Sequence, residues 1–281
     1  MAADGSGRSG GADPNGGSGQ RIGSDRPSPA PLVEPVPGAP AAVADLGDET
    51  GLLVADYHAG IEAGLRYERG VELDSAGEER RERVLDLLAR TGADRLVVLG
   101  DLAHRVGGAG DAETAEIDAL LSAVGVPVTL VIGNHDAGIA EAFEDRVDVT
   151  PAGGARLGDV GVLHGHTWPA PEVLGADVIC MGHEHVAVKL EDAVGGARAE
   201  KAWLRGSLAP AAFDGEVDLD AAGVDWREPE LVVFPAFNDR SGGTWVNVEG
   251  QGFLAPFLPA GFTEGEAYLL DGTRLGDYRR I

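Results

Sequence analysis

This chain is short of cysteine, lysine and long apolar runs, and each shortage excludes something. Cys180 is its single cysteine, so no internal disulfide can form and a thiolate metal cage has no support. The residue lies in the run ADVICMG and reads as a small buried hydrophobe. No uninterrupted apolar run approaches the roughly 18 residues that a membrane span needs. The first thirty residues lack the apolar core of a signal peptide, so the expectation is a soluble, cytoplasmic protein with no membrane partner.

Lysine occurs only as Lys189 and Lys201, and 22 basic side chains face 47 acidic ones for a formal net charge of −25. Acid excess with so little lysine resembles the proteins of salt-loving archaea, where carboxylates keep surfaces hydrated. No basic patch of the kind that binds phosphate backbones is visible. At molar salt, however, the Debye length is about 3 Å, so the charge speaks of habitat more than of substrate.

What remains is organised. Residues 1 to about 30 are Gly, Ser, Pro and Asp with almost no apolar side chain. That composition predicts a disordered tail, followed by a single domain over 31–281. Five short, β-branched apolar runs follow: GLLVA, RLVVLG, VPVTLVIG, VGVLHG and DVICMG. They alternate with helical patterns at 75–92, 111–124 and 138–143, the first opening on a capping box of Ser75 and Glu78. Such alternation predicts an α/β protein with a largely parallel sheet and covering helices. After Val186 the pattern turns to shorter strands in AEKAWLRG, PELVVFPAF, GTWVNV and EAYLLDGTRLGDY, with an Asp271-Gly272 hairpin signal. Residues 211–230 read as an acidic surface insertion, and Trp203 as core.

All seven histidines fall in or beside these motifs. The runs end in Asp56-Tyr57-His58, Gly100-Asp101, Gly133-Asn134-His135-Asp136, His164-Gly165-His166 and Gly182-His183-Glu184-His185. In α/β sheets the carboxyl ends of the strands are where ligands bind. Carboxylates, an amide and imidazoles without cysteine suit manganese, iron or zinc. Asp56, His58, Asp101, Asn134, His164, His183 and His185 are too many donors for one ion and suit a pair about 3.5–4 Å apart bridged by a carboxylate. Such a pair neutralises phosphate oxygens and generates a hydroxide for in-line attack.

DxH at Asp56, GDxxH at Asp101, GNHD at Asn134, HGH at His164 and GHxH at His183, in this order, resemble the signature blocks of the calcineurin-like metallophosphoesterase superfamily. The resemblance implies a two-sheet β-sandwich flanked by helices. It makes Asp56, His58 and His185 ligands of one divalent ion, and Asn134, His164 and His183 ligands of a second, with Asp101 bridging. It makes His135 the acid for the leaving oxygen and Asp136 its orienting partner. His104 is implied as a phosphate contact or a support for His135, and His166 has no assigned role.

The stretch GLLVADYHAGIEAGLRYERGVELDS, with GDLAH, WLRGSL and VVFPAFNDRSGG, further resembles archaeal SbcD-related phosphoesterases and the ligase-associated PdeM-like group. This implies a phosphodiesterase or nuclease acting on DNA or a nucleotide in DNA repair. A small-molecule phosphomonoesterase is the alternative, and a non-enzymatic scaffold is disfavoured by the intact blocks. The chain lacks a large DNA-gripping domain after the core. Arg66, Arg69, Arg205 and Arg240 are candidates for phosphate contact but read first as solvated surface arginines, and Asn238 and Gly242 could approach the site but read first as parts of a plain strand-turn-strand.

Overall fold

The computed structural model describes residues 30–192 and 194–281. The predicted tail, except for Ala30, lies outside the described residues. Strands β1 (Val33–Pro35), β2 (Ala41–Asp45), β3 (Thr50–Val54), β4 (Arg95–Val98), β5 (Val128–Val131) and β6 (Asp148–Thr150) pair in sequence order to form a first sheet. A second sheet contains β7 (Ala155–Leu157), β8 (Val160–Leu163), β9 (Val178–Met181), β10 (Ala187–Glu191), β11 (Ala197–Leu208), β12 (Glu230–Val233), β13 (Phe262–Leu269) and β14 (Arg274–Asp277). Its order is β14-β13-β11-β12-β9-β8-β7, with β10 against β11. The helices are α1 (Ile61–Arg69), α2 (Gly77–Thr91), α3 (Asp111–Ala123), α4 (Ile139–Ala142) and α5 (Pro171–Leu174).

Side chains alternate between the two faces of a strand, and this alternation builds the layers. Leu53, Val97, Leu99 and Val131 of the first sheet meet Val162, Cys180, Trp203 and Val232 of the second in a core between the sheets. Leu52, Val54, Leu96 and Val98 face the other way, onto Val84 and Leu87 of α2 and Ile117 and Leu120 of α3. The outer face of the second sheet is covered by α5 and by loops carrying Phe213, Ala255 and Phe257. The result is the expected sandwich of two sheets flanked by helices. Each fully buried Leu or Val contributes about 1.5–3 kcal/mol of transfer free energy, which favours this layering. Cys180 and Trp203 are core residues, and burial pushes the Cys180 thiol well above its ordinary range.

Several expectations need correction. The five apolar runs do not share one sheet: β3, β4 and β5 lie in the first and β8 and β9 in the second. Helix α2 begins at Gly77 without the capping box, because the Ser75 hydroxyl accepts from the Gly77 N–H instead. Helix α1 was not expected; Gly60 and Gly70, both left-handed, bound it. GTWVNV is not a strand and contributes only a bridge between Trp245 and Ala187. The acidic stretch 211–230 turns Phe213, Val217, Leu219, Val224 and Trp226 onto the second sheet, so it covers core as well as surface.

Candidate metal centre

Six loops meet at one edge of the sandwich. They follow β3, β4 and β5 in the first sheet and β8, β9 and β12 in the second, and within each trio the strands run parallel. Their carboxyl ends therefore open on the same side. The sixth loop, after β12, was read from sequence as an ordinary turn. It is part of the site: the Asn238 side chain donates to Tyr57 O at 3.1 Å and to His58 O at 3.4 Å. His185 Nδ1 donates to Gly242 O at 2.7 Å. Lys201 Nζ holds this loop through Ala236 O and Asn238 O.

Two groups of donors form there. Asp56, His58, Asp101 and His185 offer ligand atoms within 4.8 Å of one another, and so do Asp101, His164 and His183. Asp101 belongs to both. Asn134 adds its Oδ1, 3.1 Å from His164 Nε2. All seven residues expected as ligands are thus brought together. A third group, His58, His104 and His135, adjoins them. His166 lies beside His164 and His183, with ring centroids 5.3 and 6.1 Å away, but belongs to none of these groups.

His58, His164 and His185 are each fixed through the far nitrogen of the ring. His58 Nδ1 faces Ala103 O, and His164 Nδ1 donates to Leu99 O at 2.8 Å. Such backbone acceptors set the tautomer and turn Nε2 inward as a lone-pair donor. His58 Nε2 and His185 Nε2 consequently stand 3.1 Å apart. Two bare lone pairs at that distance repel each other unless a proton or a cation sits between them.

The carboxylates carry the same demand. Asp56 and Asp101 are 0% and 2% exposed, and among the described residues only histidines ion-pair with them. Buried carboxylates need compensating positive charge. Without a metal it falls to His164 and His185: burial opposes protonation of both, but Asp101 and Asp56 lift His164 to about 9, and Asp56 raises His185. Burial pushes His58 and His183 down to about 4, keeping them neutral as ligands must be. The oxygen and nitrogen donors, their inward lone pairs and the buried negative charge fit divalent cations.

Local backbone geometry explains the motif glycines. Asp56, His58, Asp101, His183 and His185 all have positive φ, a conformation that costs non-glycine residues about 1–3 kcal/mol each. Gly100 is also left-handed, and a Cβ there would collide with the His164 ring. At Gly133 a Cβ would collide with Asp101. At Gly100 and Gly133 the glycine before one candidate ligand is therefore the space in which another sits.

Asp136 departs from its expected role as orienting partner of His135. Its carboxylate accepts from the backbone N–H groups of Asp101, Ala103 and Gly133 at 2.8–3.1 Å, tying the β4 loop to the β5 loop. His135 is oriented instead by the main chain of His104, whose carbonyl accepts from its Nδ1. The two rings stack at 5.9 Å. Glu184, not singled out from sequence, is buried between two ligand histidines and accepts from Leu254 N, Ala255 N and the Thr244 hydroxyl. The acidic residue inside GHEH was its only sequence signal.

Residues 43–173 match the family described as calcineurin-like phosphoesterase. This segment of the chain is similar to that family. The matched span holds Asp56, His58, Asp101, Asn134 and His164, and the fold brings His183 and His185 to them from beyond it. The protein is a metal-dependent phosphoesterase. Among solved structures, a nuclease MPE from Pseudomonas putida is similar at a TM-score of 0.51 and 19% identity, over 86% of this chain and all of that one. Yfce, a phosphoesterase from E. coli, aligns at a TM-score of 0.33 and 24% identity, covering 50% of this chain and 73% of that one. No curated protein sequence matches the chain. The first likeness shows a shared fold.

Proposed function

We propose that this phosphoesterase is a dinuclear phosphodiesterase that hydrolyses a P–O bond in DNA or in a nucleotide ester. The observation that carries the reading is Asp101, whose carboxylate belongs to two donor groups at once. One ion is assigned to Asp56, His58, Asp101 and His185, and a second to Asp101, Asn134, His164 and His183. Bound divalent ions, with manganese the first choice, supply the charge that neutralises phosphate oxygens and lowers the pKa of the attacking water.

The chain's own residues do the rest. His135 Nε2 lies 3.7 Å from Asp101 Oδ2 on a ring that is partly open to solvent. This position supports the reading of His135 as the proton donor to a leaving oxygen. His104 O holds that ring in orientation. Asp136, Glu184 and Asn238 lock three ligand-bearing loops, and such supporting contacts keep donors close to productive geometry.

The SbcD-related and PdeM-like resemblance makes DNA repair the proposed setting. The acidic surface supports a high-salt cytoplasm. The catalytic unit is assigned to 31–281, so truncation of residues 1–30 should leave kcat unchanged.

Metal analysis and substrate comparison test the reading. After saturation with manganese, two ions per chain are expected, with turnover of bis(p-nitrophenyl) phosphate exceeding that of the mono-ester. Turnover of the mono-ester alone would establish a phosphomonoesterase instead. Full activity with one ion per chain would remove the two-ion account.

A further inference from the structure

Most basic side chains of this acidic protein are committed to carboxylates: Arg80 to Glu62 and Glu116, Arg205 to Glu230, and Arg240 to Glu62. Arg66, Arg69 and Arg105 have no such partner among the described residues. Arg66 and Arg69 lie on α1 and Arg105 on the loop after β4. Tyr67, also on α1, is 87% exposed, the most exposed large aromatic among the described residues.

Helix α1 starts three residues after His58, and residues 60 (its N-cap), 64 and 67–68 recur at helical spacing on one stripe. That stripe lines a cavity of about 290 Å³, whose opposite wall is Arg105 and the first turn of α3. Gly60 and Gly64 form the end next to the metal centre. A Cβ at Gly64 would collide with the His104 ring, and that ring stacks on His135. The cavity is therefore one imidazole away from the proposed proton donor. Tyr67 lies roughly 10 Å beyond Gly60 along the helix axis, at 1.5 Å per residue.

The wall chemistry selects an occupant. Glu68 and Asp111 line the cavity and would repel a phosphate, but their carboxylates suit the N–H donors of a nucleobase edge. Tyr67 offers a face for stacking, Arg105 on the opposite wall suits a flanking phosphate, and Arg66 and Arg69 add positive charge to the exposed end of α1. An exposed aromatic set among arginines is how proteins hold single strands without reading sequence. Glu113, the remaining acid of the wall, is spent on the backbone N–H groups of His104, Arg105 and Gly110.

We infer that the α1 cavity is a nucleobase subsite, which makes the substrate of the proposed phosphodiesterase a single-stranded nucleic acid running along α1 from the metal centre. The inference rests on the phosphodiesterase reading, and the test separates the two.

Full-length enzyme, Tyr67→Ala, Tyr67→Phe and the double variant Arg66→Ala/Arg105→Ala are assayed with bis(p-nitrophenyl) phosphate and with a short fluorescent single-stranded DNA. Anisotropy in a chelator reports binding of the same DNA without turnover. Tyr67→Ala should weaken binding and raise KM for the DNA about tenfold, the scale of one lost base stack, with small-ester kinetics unchanged. Tyr67→Phe should behave as the parent enzyme. The double arginine variant should reduce the salt dependence of binding by about two units of slope. DNA binding and cleavage unaffected by Tyr67→Ala would overturn the subsite. Turnover of the small ester with neither binding nor cleavage of DNA would overturn the subsite while sparing the phosphodiesterase reading. Failure of the parent enzyme on both substrates would remove both.

Discussion

His135 and Asp136 are neighbours in sequence with separate tasks. His135 turns its ring toward the cluster mouth, while Asp136 turns inward to three backbone N–H groups. His135→Asn should lower kcat by about 10²–10⁴, the usual contribution of a positioned acid, with metal content unchanged by elemental analysis. A fall in bound metal would make His135 a ligand. Asp136→Ala strands three buried donors and should cost about 3 kcal/mol in denaturant unfolding; a cost below about 0.5 kcal/mol would mean water replaces the carboxylate. The candidate ligands were legible at this scale because their chemistry is scarce and their spacing regular. The role of Asp136 was not, because adjacency in GNHD says nothing about which way a side chain points once the turn closes.

At the scale of elements, the buried strands announced themselves as short β-branched runs, and each ended in polar residues that a core would reject. Helix α1 did not, since Gly64 interrupts it and its second half is polar. The loop after β12 also escaped notice, because Asn238 works by holding the carbonyls of Tyr57 and His58, about 180 residues earlier. Asn238→Ala should weaken metal binding about 10–100-fold, the range for contacts that support ligands, as read by calorimetric titration. Unchanged affinity would show that Lys201 and Arg83, which grip the same loop, suffice.

For the whole molecule, charge and metal set the conditions of stability. A net charge of −25 repels itself over about 10 Å at 0.1 M salt and only about 3 Å at 1 M. The unfolding midpoint should rise with potassium chloride across that range, and a flat or falling midpoint would contradict self-repulsion as the dominant surface term. Stripping metal should lower Tm by about 5–10 °C, because ions at a hundredfold excess over Kd stabilise by about 2.7 kcal/mol. An unchanged Tm would mean that the cluster holds no structural charge. Sequence alone determined the candidate ligands, the strands they follow and the α/β class, since scarce polar residues after apolar runs can have few purposes. Tertiary structure decided that two sheets share the site, that Asp101 stands between two donor groups, and that Asn238 and Glu184 support it. Those facts depend on which strand ends meet in space, and packing between distant segments fixes that where local pattern cannot.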